Sequence, residues 1–309
     1  ARQTCFSRKS IYRASEIRDT RSVPHCGTDI PAMMRAEHQD KMSKYNHKTG
    51  RRREHQDKGK SFGKTRDPDE IVMLYGYHAC EAALRNTNRH IRQASITKNM
   101  ADRLIAEEVA LPEGWREARP RDLDLMVERD AVHQGIVLVA ERLSQPTLED
   151  VRHHDLVVVL DQVTDPHNVG AIIRSACALG AGAVVTTLRN APQENGLLAK
   201  TASGAFEHVP YIQVTNLARA VEEIRALQFS TIGLDSEGPS DLIKTLADHG
   251  GEKIALILGA EGRGLRRLTR DLARLDMPGP IKSLNVSNAA ALSLFVCRQS
   301  LDAQAGSAG

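Results

Sequence analysis

The distribution of apolar positions changes abruptly near residue 70. Before it the chain is polar, rich in Arg, Lys, His and Asp, with no sustained apolar period. After it, short apolar runs alternate with stretches of helical spacing. Ile71-Val72-Met73-Leu74-Tyr75-Gly76 has the form of a strand and turn. Tyr77 to Leu84 places Ala79, Ala82 and Ala83 on one side of a helix. Residues 93–97 predict a second strand, 100–109 a second helix, and Gly135-Ile136-Val137-Leu138-Val139-Ala140 a third strand. Residues 71–142 are therefore expected to form a small α/β unit. Leu143 to His154, with Pro146 and several charges, reads as a linker.

From 155 the alternation becomes regular. Leu156-Val157-Val158-Val159-Leu160 is continuously apolar, as in a strand covered on both faces. Val169 to Leu179 has helical spacing and Gly180 is a natural stop. Ala183-Val184-Val185-Thr186-Thr187 predicts the next strand. Residues 216–227 place Leu217, Val221, Ile224 and Leu227 on one helical face, with Asn216 as N-cap. Thr231 to Leu234 and Ile254 to Leu258 are further strands, and 286–299 a last helix. This βαβαβαβ order implies a mostly parallel sheet with helices on both faces.

Composition narrows the class. The 309 residues suffice for two ordinary domains. No run approaches the roughly 20 apolar residues needed to cross a bilayer, and no secretory leader is seen. A cytoplasmic setting is expected; Glu16, Asp19 and Asp29 argue against an organelle transit peptide. Cys5, Cys26, Cys80, Cys177 and Cys297 are scattered and odd in number, which speaks against a disulfide framework or a zinc ribbon. No metal site is expected, because the histidines lack ligand spacing.

Charge is uneven. In residues 1–70, Lys and Arg outnumber Asp and Glu by 17 to 10, although the whole chain carries only +3. Residues 41–66 hold ten basic side chains against Glu54 and Asp57. The pentapeptide Glu-His-Gln-Asp-Lys occurs at 37–41 and again at 54–58. Residues 1–70 are expected to be a basic, disordered extension able to neutralise RNA phosphates without reading sequence.

Three segments carry candidate chemistry. The first is Asp165-Pro166-His167-Asn168-Val169-Gly170-Ala171-Ile172-Ile173-Arg174. Asn168 either caps the helix that follows or faces a ligand. Arg174 is either a surface charge, or partner of Asp161, or a group able to grip an RNA phosphate or act on a ribose hydroxyl. The second is Gly259-Ala260-Glu261-Gly262-Arg263-Gly264, which follows a buried strand. Glycines there let backbone amides approach a ligand closely, and Glu261 is placed either to orient a hydroxyl or to favour a helix start. Neither the P-loop nor the dinucleotide pattern fits. The third is Ser283-Leu284-Asn285-Val286-Ser287-Asn288-Ala289-Ala290-Ala291, hydroxyl and amide groups ahead of an alanine-rich helix.

In this order, the three segments resemble the motifs of the SpoU (TrmH-type) RNA ribose 2′-O-methyltransferases: Asn168 with Arg174, then Leu258 to Gly262, then Met277 to Ala289. Ala199-Lys200-Thr201-Ala202-Ser203-Gly204-Ala205 and Val209-Pro210 are also similar to the family, and Leu74-Tyr75-Gly76-Tyr77-His78-Ala79 resembles the start of its L30e-like substrate-binding domain. Asp276 departs, standing where relatives commonly carry Pro before the Met. The resemblance implies an α/β SPOUT fold with a deep C-terminal trefoil knot at 155–303, and an L30e-like RNA-binding domain at 71–142. It implies S-adenosylmethionine as cofactor, a homodimer, and ribosomal RNA guanosine as substrate, with tRNA or another RNA as the alternative and a non-catalytic assembly factor as a distant third. It further implies that Gly259, Leu275 and Leu284 line the cofactor pocket. Asn168, Arg174, Glu261, Ser283 and Asn285 would form the catalytic or RNA-handling group.

Overall fold

The computed structural model describes residues 71–307, apart from 145, 249–252, 260–264, 266, 267 and 270. The basic segment 1–70 and its repeated pentapeptide lie outside the described residues. What is described contains two sheets.

The first sheet has the order β1-β4-β2-β3, built from β1 (Ile71–Tyr75), β2 (Ile91–Ile96), β3 (Arg116–Glu117) and β4 (Ile136–Glu141). β4 pairs antiparallel with both β1 and β2, while β2 and β3 run parallel. Helices α1 (Tyr77–Arg85) and α2 (Lys98–Ala106) bury Ala79, Cys80, Ala83, Met100, Ala101 and Leu104 against it. The short α3 (Pro120–Asp124) anchors through Leu123.

The second sheet is parallel throughout, with the order β7-β6-β5-β10-β8-β11-β9. Its strands are β5 (Leu156–Asp161), β6 (Ala183–Thr187), β7 (Tyr211–Val214), β8 (Ser230–Leu234), β9 (Ser240–Asp241), β10 (Ile254–Gly259) and β11 (Leu272–Arg274). The helices are α4 (Pro166–Ala178), α5 (Gly196–Thr201), α6 (Leu217–Ala226), α7 (Leu242–Asp248) and α8 (Val286–Ser307).

The continuous apolar runs are explained by two faces with two cores. Leu156, Val158 and Leu160 of β5 and Ile254, Leu256 and Leu258 of β10 point into one core, with Ile172 and Ile173 of α4, Leu246 of α7 and Leu294 of α8. Val157, Val159, Ala255 and Ile257 point the other way, onto Val221 and Ile224 of α6. Period-two alternation thus persists, but both sets are buried. Asn216 caps α6 as expected, its side chain accepting from the Arg219 amide. The segment 143–154, expected as a linker, contains a 3₁₀ turn at Leu148–His153 that buries Val151 beneath the second sheet.

α8 is longer than the sequence predicts and is tied down by Arg298. Its guanidinium donates to both carboxylate oxygens of Asp155 (2.8 and 3.0 Å) and to the carbonyls of Leu179 and Gly180 at the end of α4. The hydrogen bonds from Arg298 hold the Asp155 carboxyl below its ordinary pKa. A lowered folded-state pKa contributes stability that is present above the unfolded value and lost as pH falls through the folded one. Asp155→Asn is therefore expected to cost less than about 1 kcal/mol at pH 7, because the carboxylate is half exposed and solvent screens it. Urea unfolding at pH 7 and pH 3 checks this: the gap between wild type and variant closes at the lower pH.

Candidate functional site

In an open parallel sheet, ligands bind beyond the carboxyl ends of strands where the order reverses. Here the chain leaves β5 toward β6 and β7 on one side, while β10 occupies the other side of β5. The reversal therefore lies between β5 and β10, and their last paired residues are Asp161 and Gly259. The register carries the same edge outward: Leu258 pairs Leu234 of β8, and Leu234 pairs Ala273 of β11, just before Leu275. Gly259 and Leu275 thus share one carboxyl edge. A Cβ at Gly259 would lie 2.6 Å from the Leu265 side chain, so a larger residue there must displace Leu265.

Beyond β5 the chain turns through Gln162, which adopts a left-handed backbone with φ 60°, and enters α4. Asp165 is the N-cap: its side chain accepts from the His167 amide, and Pro166 occupies the first helical position. This corrects two expectations. The helix begins at Pro166 rather than Val169, and Asn168 does not precede it but lies within its first turn. Proline's fixed φ starts a helix readily and Asp caps well, so this pair decides the boundary ahead of the apolar spacing. Asn168 is half-buried. Arg174 lies in the third turn on the exposed side, opposite buried Val169, Ile172, Ile173 and Ala176. Among the described residues Arg174 has no hydrogen-bond or ion-pair partner, so it is not held by Asp161.

The third segment leads into α8. Asn285 is the capping residue: its side chain accepts from the Ser287 amide (2.8 Å) and hydroxyl (2.6 Å), and its carbonyl receives the Ala289 amide. Ser283 is exposed, Leu284 is half-buried, and Ala290 is fully buried where α8 meets the core. Leu275 packs on the edge of the same core. Asp276 is exposed and ion-paired with Arg274 at 2.8 Å. Glu261 lies outside the described residues. No hydrogen bond joins Asn168 or Arg174 to Ser283 or Asn285 among the described residues. Asn285→Ala is expected to cost about 1 kcal/mol through the lost cap; a fall of only a few degrees in Tm with an unchanged far-ultraviolet spectrum is the expected reading.

Thiol chemistry has no support at this edge. Burial holds the Cys80 and Cys177 thiols above their ordinary pKa, and pushes Cys297 up to about 12. All three stay protonated and poorly nucleophilic at neutral pH.

The sequence reading missed one polar cluster entirely. Arg89 is buried at the junction of the two sheets between Glu194 and Glu207. Its partners lie 105 and 118 residues away in the chain, so no local spacing announces it.

Comparison with known proteins agrees with this architecture. The SpoU rRNA Methylase family matches residues 155–295, and the RNA 2′-O ribose methyltransferase substrate binding family matches residues 73–146. A Ralstonia nicotianae protein named 23S rRNA (guanosine-2′-O-)-methyltransferase RlmB is 41% identical over 236 residues, covering 72% of this chain and 93% of that protein. The Yersinia pestis protein of the same name is 38% identical over 242 residues, covering 74% and 97%. Among solved structures, the SpoU methyltransferase AviRb from Streptomyces viridochromogenes, in complex with the cofactor AdoMet, superposes with a TM-score of 0.62 at 23% identity, covering 74% of this chain and 89% of that one. That likeness bears on the fold, while the identity to relatives over almost their full length bears on descent. The chain belongs to the SpoU rRNA methylase family and carries the substrate-binding region of RNA 2′-O-ribose methyltransferases ahead of its parallel-sheet half.

Proposed function

We propose that this protein transfers a methyl group from S-adenosylmethionine to the ribose 2′-oxygen of a guanosine in large-subunit ribosomal RNA. The observation that carries this reading is the 41% identity to a named 23S rRNA guanosine 2′-O-methyltransferase across 93% of its length. A solved structure of the same fold holds AdoMet. Here, Gly259 and the apolar Leu275 at the same carboxyl edge suit the cofactor's adenosine and the hydrocarbon around its sulfonium, with Leu284 as a further apolar wall. When bound, the cofactor supplies an electrophilic methyl group on a positively charged sulfur.

The protein's own groups must then align the ribose and manage its proton. Asn168, in the first turn of α4, offers an amide to the ribose or its phosphate. Arg174 presents a planar cation that fits a phosphate and stabilises negative charge growing on the 2′-oxygen. A guanidinium with a pKa above about 12 is a poor base, so the proton leaves to phosphate or water. Glu261, Ser283 and Asn285 complete the RNA-handling group in this reading. The second sheet, 155–303, is the catalytic domain, and residues 71–142 are the L30e-like domain that receives the RNA.

The remaining features belong to the same proposal. After β11 the chain runs through the mostly exposed segment 276–283 before α8 returns onto α4, α7 and β10, a path suited to a deep knot. Leu292 and Phe295, one turn apart on α8, are each more than half exposed, as a homodimer interface requires. No helix among the described residues is long and apolar enough to cross a membrane, and a cytoplasmic site of action follows from the substrate. Mapping of 2′-O-methylation across total RNA, with and without the gene, tests the substrate. Loss at one large-subunit ribosomal guanosine is expected; loss only in tRNA overturns the reading.

A further inference from the structure

The segment Glu194–Glu207 joins the two halves at three points. First, Arg89 donates through Nη1 to Glu194 (2.9 Å) and to the Glu141 carbonyl (2.9 Å), and through Nε and Nη2 to Glu207 (3.0 and 2.5 Å). The guanidinium side chain is fully buried and both carboxylates are 3% exposed. Second, a Cβ at Gly196 would sit 2.3 Å from the Tyr75 ring and 2.7 Å from the Met73 carbonyl, so α5 lies directly on β1. Third, Gly204, with φ 87°, passes 2.9 Å from the His78 carbonyl by the same measure. Between these points, Ala199 is part of the core of the first half, and Lys200 lies with its ammonium 5.7 Å from the Tyr75 ring.

The opposite side of the segment meets α4. A Cβ at Gly170 would lie 2.6 Å from Thr201 Cβ and 3.2 Å from the Ala202 amide nitrogen. Glu194–Glu207 is thus a wedge, with the first half on one side and the helix of Asn168 and Arg174 on the other.

We infer that this wedge fixes the RNA-receiving half on α4, and that Arg89 is a positioning residue for methyl transfer. The inference rests on the function proposed above. RNA held by the first half is then presented to Arg174 at a set distance and angle, rather than through a swinging tether. A large buried contact without slack has this consequence because close-packed interfaces transmit displacement rather than absorb it. Three charges meeting in a dry junction also demand one geometry, since any other leaves a buried charge unpaired.

The test uses the full chain. Arg89→Met with Glu194→Gln and Glu207→Gln removes the latch without leaving either carboxylate charged and buried in the absence of Arg89. Spin labels at exposed Glu113 and Lys244, in a background without other labelling thiols, report the distance between the halves. The expected result is a broadened distance distribution, with kcat on ribosomal RNA down about tenfold or more while RNA and cofactor Kd stay within about threefold. Arg89→Lys, which keeps charge but cannot bridge both carboxylates, is expected to fall between the two. An unchanged distance distribution, or a broadened one with undiminished kcat, overturns the inference. If the wild type itself methylates no ribosomal RNA, the proposed function fails, and the distance measurement still decides whether the latch exists. Should the triple variant not fold, Gly196→Ala gives the same two readouts by steric displacement from Tyr75.

Discussion

Arg174→Ala is expected to lower methyl transfer at least about a hundredfold while leaving S-adenosylmethionine binding nearly unchanged. Arg174 is exposed on α4 and has no partner among the described residues, so its removal disturbs no packing and should shift stability by less than about 0.5 kcal/mol. An exposed cation on α4 without a protein partner is available to an anionic ligand. Its loss removes a phosphate contact and the stabilisation of developing alkoxide, both of which act on the transition state. Arg174→Lys keeps the charge but loses the planar fork, and an intermediate rate is expected. Single-turnover transfer of a labelled methyl group, with cofactor affinity from calorimetry, checks the split. Substantial turnover by the alanine variant at normal RNA affinity would remove Arg174 from the mechanism.

Arg89→Met alone is expected to have the largest effect on stability, about 3–5 kcal/mol at neutral pH. Two carboxylates, 3% exposed each, would be left without their shared cation. Even in the wild type, burial raises the Glu194 pKa above its ordinary value, and the charges of Arg89 and Arg142 offset only part of this. A carboxyl whose folded pKa is raised favours folding below that pKa and loses the contribution as pH rises through it. Removing Arg89 raises Glu194 further, so the deficit of the variant should grow from pH 5 to pH 8. Denaturant titrations across that range check the slope. A deficit independent of pH would mean that the cost is packing rather than unpaired charge.

The parallel-sheet half was legible because its strands are buried on both faces. Runs such as Leu156–Leu160 and Ile254–Leu258 are too apolar to be anything exposed, and Asn216 caps its helix by a local rule. The start of α4 was misplaced because the apolar spacing begins at Val169, whereas cap chemistry at Asp165-Pro166 sets the boundary. Short elements escaped for want of period: α5 spans six residues and β11 three. The pairing of Gly259 with Asp161 needed the strand order, which no run of residues states. Arg89 shows the limit most plainly. Its partners come from the far half of the chain, and only folding brings them within 3 Å. Residues 199–205 carried a family likeness in the sequence, but their place between α4 and the first half became visible only in three dimensions.

Methylation of a ribose oxygen of ribosomal guanosine can be read directly from labelled product. The most direct measurement incubates the purified full chain with methyl-labelled S-adenosylmethionine and large-subunit ribosomal RNA lacking modification, then digests the RNA to nucleosides. The label is expected in 2′-O-methylguanosine from a single position, and is expected to be lost with Arg174→Ala. Label on a base, or no label on RNA while the protein still binds the cofactor, would contradict it.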